Sequence, residues 1–127
     1  MEITPESMIS DLDEALELAG TNVKLRRLFG TNRVPVEIDI KAVFRKYDAN
    51  EMVGDIQQTD QMFIMSPTEV TNGNWPGYHN NEPGDRDLRV PRKNDKLITE
   101  QGVMNVEECK GIFVQDVLVR IDGRVRG

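Results

Sequence analysis

Six apolar residues at every second position, Val34, Val36, Ile38, Ile40, Ala42 and Phe44, constrain this chain most. Glu37, Asp39, Lys41 and Arg45 stand between them. Side chains of a strand alternate between two faces, so the pattern makes one dry face and one wet face and excludes a helix. Such a strand cannot bury its apolar face alone. It needs a sheet that curls on itself or packs on another layer. Pro35 lacks a backbone donor, which confines its end to an edge or to the start of the strand. Residues 22–29, ended by Gly30, and residues 61–65 read as two more strands. The last third reads as short strands at about 96–99, 103–107 and 112–121. Asn94-Asp95, Gln101-Gly102 and Lys110-Gly111 supply turn residues between them. In the final strand Val117, Val119 and Ile121 alternate with Asp116, Leu118 and Arg120.

Ahead of the strands, residues 4–19 carry a helical pattern. Thr4 suits the N-cap, and Pro5 suits the first helical position, where its missing N–H is no loss. Ile3 and Met8 occupy the two positions of a hydrophobic staple. Met8, Ile9, Leu12, Ala15, Leu16 and Ala19 recur at helical spacing, while Asp11, Asp13, Glu14 and Glu17 face elsewhere. Gly20 follows as a C′ residue. A second short helix is expected after Ser66-Pro67-Thr68-Glu69, a capping-box arrangement with Pro at the first position. One helix followed by about six short strands predicts a mainly β fold. It is a small antiparallel β-barrel or sandwich with an N-terminal amphipathic helix and two long loops. The expected division is a helical arm over 1–20 and a barrel domain over 21–127.

The charge follows that division. Of 22 acids, six lie in residues 1–20, which hold no Lys or Arg; the other 16 balance the 16 bases of 21–127, so the whole −6 sits on the arm. A neutral body does not neutralise phosphates in bulk, which excludes a basic protein that coats nucleic acid. Length allows one domain, and a chain of this size buries about two-thirds of its unfolded surface without a staple. One cysteine, Cys109, forms no internal disulfide, and with one histidine it cannot complete a Cys/His zinc site. No apolar run approaches the ~20 residues of a membrane span, and the first residues lack the pattern of a signal peptide. Phosphate loops, nucleophile elbows and internal repeats are absent from the sequence.

Two connections exceed what a minimal barrel needs. Residues 47–60 are long and polar, and ten of the twenty residues 72–91 are Gly, Pro or Asn. Loops beyond ~12–15 residues inside a compact domain commonly serve function. The second carries Trp75, Tyr78 and His79. His79 lacks an evident Ser or Cys nucleophile with an orienting partner, so it reads as a loop histidine. Asp85-Arg86-Asp87 lacks the spaced oxygen ladder of a calcium loop. Glu107 and Glu108 disfavour a thiolate at Cys109. Arg86, Arg89, Arg92, Lys93 and Lys96 form a basic stretch offset by Asp87 and Asp95, suited to phosphate or to a subunit contact; Arg120, Arg124 and Arg126 read the same way. Trp75 suits either a plug for the barrel end or an interface anchor. The helix suits either its own barrel or a groove on a neighbour.

In order along the chain stand residues 23–29, Val53-Gly54-Asp55-Ile56-Gln57-Gln58, residues 64–70, Trp75-Pro76, Pro91-Arg92-Lys93-Asn94-Asp95-Lys96, and Val125-Arg126-Gly127. With these pieces the chain resembles the small head–tail joining proteins, also called head-completion or stopper proteins, of tailed bacteriophages and gene transfer agents. Its layout is similar to the lambda type, an N-terminal segment ahead of a small barrel. It departs from the family in a longer stretch at about 77–90 and in Asp122-Gly123 before the Arg-Gly ending.

The resemblance implies a structural protein of the virion neck with no catalysis and no cofactor or metal. It implies a closed ring of copies, assembled in the bacterial host cytoplasm. Portal and adaptor proteins would lie on the head side and a tail terminator or tail tube on the other. Phage DNA would pass through the lumen without sequence-specific binding, and no membrane is involved. Val53, Gly54, Asp55, Ile56, Gln57 and Gln58 become a candidate channel gate or tail-facing loop. Met8, Leu12, Leu16, Trp75, Tyr78, Arg89, Arg92 and Arg126 become candidate subunit or adaptor contacts. The loops, the helix and exposed strand edges are the parts a ring would use. Three other readings stand beside it: a tail terminator, a nucleic-acid-binding barrel of OB type, and a small hydrolase using His79.

Overall fold

The computed structural model describes residues 3–29, 34–54, 56–57, 59–73, 75 and 89–127. Six antiparallel strands close into a barrel: β1 (Thr21–Phe29), β2 (Val34–Lys46), β3 (Asp60–Met65), β4 (Lys96–Thr99), β5 (Gly102–Val114) and β6 (Val117–Arg126). Their order around the wall is β1-β2-β3-β6-β5-β4. The closing pair is β1 with β4, through Lys24 opposite Ile98, Leu25 opposite Leu97 and Arg26 opposite Lys96. A closed order has no terminal strand, but the wall is stitched unevenly: β4 meets β1 over Lys24–Arg26, and β3 meets β2 over Ala42–Lys46, which leaves the earlier part of β2 paired on one side.

The alternation of β2 produces the interior. Ile40 and Ala42 are buried, and Val36, Ile38 and Phe44 pack against the core from the same face. Val23 and Leu25 of β1, Phe63 and Met65 of β3, Leu97 of β4, Val106 of β5, and Leu118, Ile121 and Val125 of β6 complete it. The bore is therefore a filled core and not a conduit.

The C-terminal hairpin departs from the sequence expectation. Lys110-Gly111 is no connection: both lie inside β5, paired with Asp122 and Ile121. A Cβ on Gly111 would stand 2.9 Å from Leu118 and 3.0 Å from Val90, so glycine serves close packing there. The turn falls at Gln115 and Asp116, both in the left-handed region with φ of 51° and 64°. That geometry matches the twist of a tight hairpin, and with Gln-Asp in place of the Asn-Gly pair such a turn favours, nothing in the sequence signalled it. Two register shifts interrupt the β5–β6 ladder. One leaves Val119 as the extra residue on β6, between the pairs Ile112–Arg120 and Phe113–Leu118. The bulge resets the alternation. Leu118, Ile121 and Val125 face inward, Val117 is 36% exposed, and Val119 is buried outside the core cluster.

Helix α1 (Pro5–Ala19) begins as expected, with the Thr4 side chain accepting from the Ser7 N–H; Ser7 answers the Thr4 N–H and completes a capping box. Ile3 remains 74% exposed, so the staple with Met8 is not made. Gly20 has an ordinary extended φ of −78°. It is small for another reason: a Cβ would stand 2.5 Å from the Leu16 carbonyl oxygen. The chain turns there directly into β1. The helix packs on the outside of the barrel against β6 and β2, with Leu16 3% exposed. Asp13 accepts from the Thr68 hydroxyl at 2.7 Å, and Glu17 pairs with Lys41 at 2.6 Å. Short helix α2 (Thr68–Asn72) follows β3. Ser66 Oγ accepts from the Thr68 N–H, but Glu69 does not fold back to close a capping box; it accepts from the Lys41 N–H at 2.8 Å and ties α2 to β2.

Candidate functional site

The two long connections leave the barrel at opposite ends. Strand β2 runs to Lys46, and β3 starts back from Asp60, so the first connection leaves and returns at the end that also holds the β4–β5 turn. Strand β3 ends at Met65 and β4 begins at Lys96, so the second connection leaves and returns at the other end, with the β5–β6 turn.

At the first end the chain leaves β2 through a 3-10 turn, Ala49–Glu51. Glu51 accepts from the Asp48 N–H and from both Arg45 terminal nitrogens at 3.0 Å. Those bonds, Arg45 first, hold the Glu51 carboxyl down at about 2. Val53 projects at 69% exposure, and Gly54 turns the chain with φ of 62°. Asp60 then anchors the return. Its carboxylate is buried and accepts from Arg124 at 2.8 Å, from Arg126 at 2.7 and 3.0 Å, and from the Gln57 N–H at 2.9 Å. The Arg126 bonds are the main cause that keeps this carboxyl far below the ordinary Asp range. Arg126 also reaches Glu107, the extra residue of the other bulge, at 3.0 Å. Gly54, Ile56 and Gln57 thus lie beside Lys93, Glu107, Glu108, Arg124 and Arg126, around a cleft of about 510 Å³ on the β5–β6 wall.

At the opposite end Arg27 performs a comparable task inside the barrel. It sits on the inward face of β1, two residues after Leu25, and is 2% exposed. Its Nε and Nη2 donate to Asp95 at 2.9–3.2 Å, and Nη2 also donates to the Val90 carbonyl at 3.2 Å. The guanidinium carbon lies 4.5 Å from the centre of the Trp75 ring. The indole N–H donates to the Val36 carbonyl at 3.0 Å. One cation therefore holds Trp75, at the start of the second loop, together with Val90 and Asp95 at its close.

These placements sort the expected contact residues. Trp75 is a core plug and not an exposed anchor, because its ring is 3% exposed and its N–H is satisfied within the chain. Leu16 is likewise buried on its own barrel, and Met8 and Leu12 on the same helix are half-buried. The helical surface left open bears Asp11, Glu14 and Leu18, the last 84% exposed. Arg89 donates to Thr71 at 3.0 Å, the Arg92 N–H donates to Asp95, and Arg126 belongs to the Asp60 cluster. Asp55, Gln58, Tyr78, His79, Asp85, Arg86 and Asp87 lie outside the described residues.

Sequence reasoning missed both ionic clusters. Arg27 was open to detection, since it holds an inward phase after Val23 and Leu25; Asp60 carried no comparable signal. Cys109 is half-buried, and burial, helped by Asp95 and Glu108, pushes its thiol up. Among the described residues no group of His, Cys, Asp and Glu is placed to hold a metal, and no helix is long and apolar enough to cross a membrane. Compared with protein-family models, with curated proteins and with solved structures, the chain matches none.

Proposed function

We propose that this protein is a structural part of the neck of a tailed bacteriophage, a head–tail connector of the stopper type that works as a ring of copies. The observation that carries the reading is the exit of the two long connections from opposite ends of a filled, closed barrel. A block with a rigid wall and one tethered loop at each end suits a position between two assemblies, portal or adaptor on one side and tail on the other. DNA would pass through the lumen between copies, because the core fills each barrel. The stretch from Val53 to Gln58, in which the Gln57 N–H is tied to Asp60, is the part we assign to the channel or to the tail side.

The OB-type alternative gains nothing here. Single-strand binders stack bases on exposed aromatic residues. Among the described aromatic residues Phe63 and Trp75 are buried, Phe44 packs against the core and Tyr47 is half-buried, so Phe113, 50% exposed, stands without a row of exposed rings beside it. The experiment is to tag the chain and locate it by electron microscopy in assembled particles. Density at the junction of head and tail, on the head-proximal side of the tail tube, is expected. Density that belongs to the tail's own end ring would make the chain a tail terminator, and exclusion from particles would refute the neck reading. Removing residues 53–58 should release DNA from filled heads; full retention would withdraw the gate.

A further inference from the structure

A ring needs a head-to-tail contact, in which one patch meets a different patch on the next copy. We infer that this contact seats the outer face of α1 on the β1–β4–β5 wall of a second copy. The inference rests on the ring reading for its purpose and on the following geometry for its location.

The two surfaces lie on opposite sides of the molecule. Helix α1 packs on β2 and β6, the neighbours of β3, and in a closed order of six β4 stands three strands from β3 either way round. A contact between such surfaces leaves both free faces available for further copies, which is what a ring requires.

Their chemistry is complementary. On α1, Asp11, Glu14 and Leu18 are exposed at spacings of three and four, so they form one stripe. No ion pair involves Asp11 or Glu14 among the described residues. On the wall, cross-strand pairing builds two outward rows. One is Lys24–Ile98–Val103 and the next is Arg26–Lys96–Asn105. Val103 is 52% exposed. Lys96 bonds only the neutral Asn105 side chain, and the Lys24–Asp39 pair is loose at 3.9 Å between exposed groups. Arg26 is paired with Glu37 at 2.6 Å and contributes less.

Their spacing agrees as well. Glu14 and Leu18 are about 6 Å apart along a helix axis, at 1.5 Å per residue. The two rows of the wall are about 7 Å apart, two residues along a strand. Leu18 can therefore rest on Ile98 and Val103 while Glu14 faces Lys96, with Lys24 beside Ile98 adding positive charge to the wall that the acidic stripe meets. Such exposed pairs act mainly by selecting the partner and the register, and the apolar contact supplies the dry centre.

The test uses two variants of the full chain. The helix variant is Asp11→Lys with Glu14→Lys; the wall variant is Lys24→Glu with Lys96→Glu. All four positions are on the surface, and circular dichroism checks that the fold is kept. Sedimentation velocity should show the unaltered chain associating at about 0.1 M salt, at least tenfold more weakly at about 1 M, where the Debye length falls from ~10 to ~3 Å. Each variant alone should associate at least tenfold more weakly, and so should Leu18→Ala. An equimolar mixture of the two variants should associate again, because each reversed face then meets its complement only on the other chain. An unaltered chain that stays monomeric at millimolar concentration would overturn the contact. So would variants that associate normally, or a mixture of folded variants that stays monomeric. Neck density with an intact ring in those cases would leave the connector reading standing, whereas normal charge-dependent association with no neck density would remove that reading and keep the contact.

Discussion

Replacing Arg27 with Met tests the internal clamp most directly. The change keeps a long side chain in the barrel and removes, among the described residues, three hydrogen bonds to Asp95 and one to the Val90 carbonyl. It also removes the cation from the Trp75 face, worth up to ~2 kcal/mol in a dry site. The larger effect is on Asp95, whose side chain is 4% exposed and would be left as a buried carboxylate without its counter-charge. Breaking one half of a buried pair costs about 3–5 kcal/mol, a large share of the ~5–15 kcal/mol of a typical domain. Asp95→Asn alone should cost a similar amount by stranding the guanidinium. The double change should cost less than either single change, because no uncompensated charge remains and Asn still accepts from the Arg92 N–H. Urea unfolding followed through Trp75, the single tryptophan, gives each value. The losses should differ little between about 0.1 and 1 M salt, since a buried pair is poorly screened. A loss below ~1 kcal/mol for Arg27→Met, the range of exposed pairs, or additive costs in the double change would refute the clamp.

Three further outcomes follow from other contacts. Gly123→Ala should cost about 1–3 kcal/mol in the same melts, because a Cβ there would fall on the Phe63 ring and 2.6 Å from the Cys109 sulfur. Asp116→Gly should raise stability by about 1 kcal/mol, since it removes a side chain held at φ of 64°; a loss of stability would contradict the turn assignment. Burial, aided by Asp13 and Glu17, pushes the Glu69 carboxyl up. Its folded state thus binds a proton more readily than the unfolded chain, so its ionisation weakens the fold above its folded pKa, and that loss is recovered as pH falls toward the ordinary Glu value near ~4.3. Glu69→Gln keeps an acceptor for the Lys41 N–H and should raise stability at pH 7 while flattening the profile between about pH 4 and 7; an unchanged slope would sink this attribution.

What could be read from the sequence was whatever repeats locally. The alternation of β2 set its bounds and its inward face, and Thr4-Pro5 set the start of α1, because each signal lies within a few residues of its consequence. Failures came where a distant residue decided. Gly111 and Gly123 read as a turn and a departure from pattern, yet both are interior strand positions made small by side chains that approach from elsewhere, Val90 and Leu118 for one and Phe63 for the other. The phase of β6 was lost at Val119, where the bulge inserts a residue that no local pattern announces. The apolar stripe of α1 was legible, but its partner was not: Met8, Leu12 and Leu16 would look the same whether they met their own barrel or a neighbour's groove. The ionic clusters were the least visible, since Arg27 and Asp95 are 68 residues apart and Asp60 and Arg124 are 64 apart.

The distribution of charge acquires a physical meaning once the barrel is seen to be closed. A closed order has no terminal strand to which a copy could add, so the proposed contact between copies is one of side-chain faces. Faces on a formally neutral body offer little discrimination by themselves. Five of the six acids of residues 1–20 lie on α1, which is fastened to one side of the wall and makes that side acidic. The opposite wall keeps Lys24 and Lys96 with weak or neutral partners. The molecule is therefore polar across its width although its barrel sequence carries no net charge. Like faces repel and unlike faces attract, so in the proposed ring this polarity would disfavour the symmetric dimer and favour head-to-tail contacts. If the proposed contact holds, moving Asp11 and Glu14 off α1 while keeping the total charge should abolish that preference; association that keeps its direction after the move would show that the acids do not orient the copies.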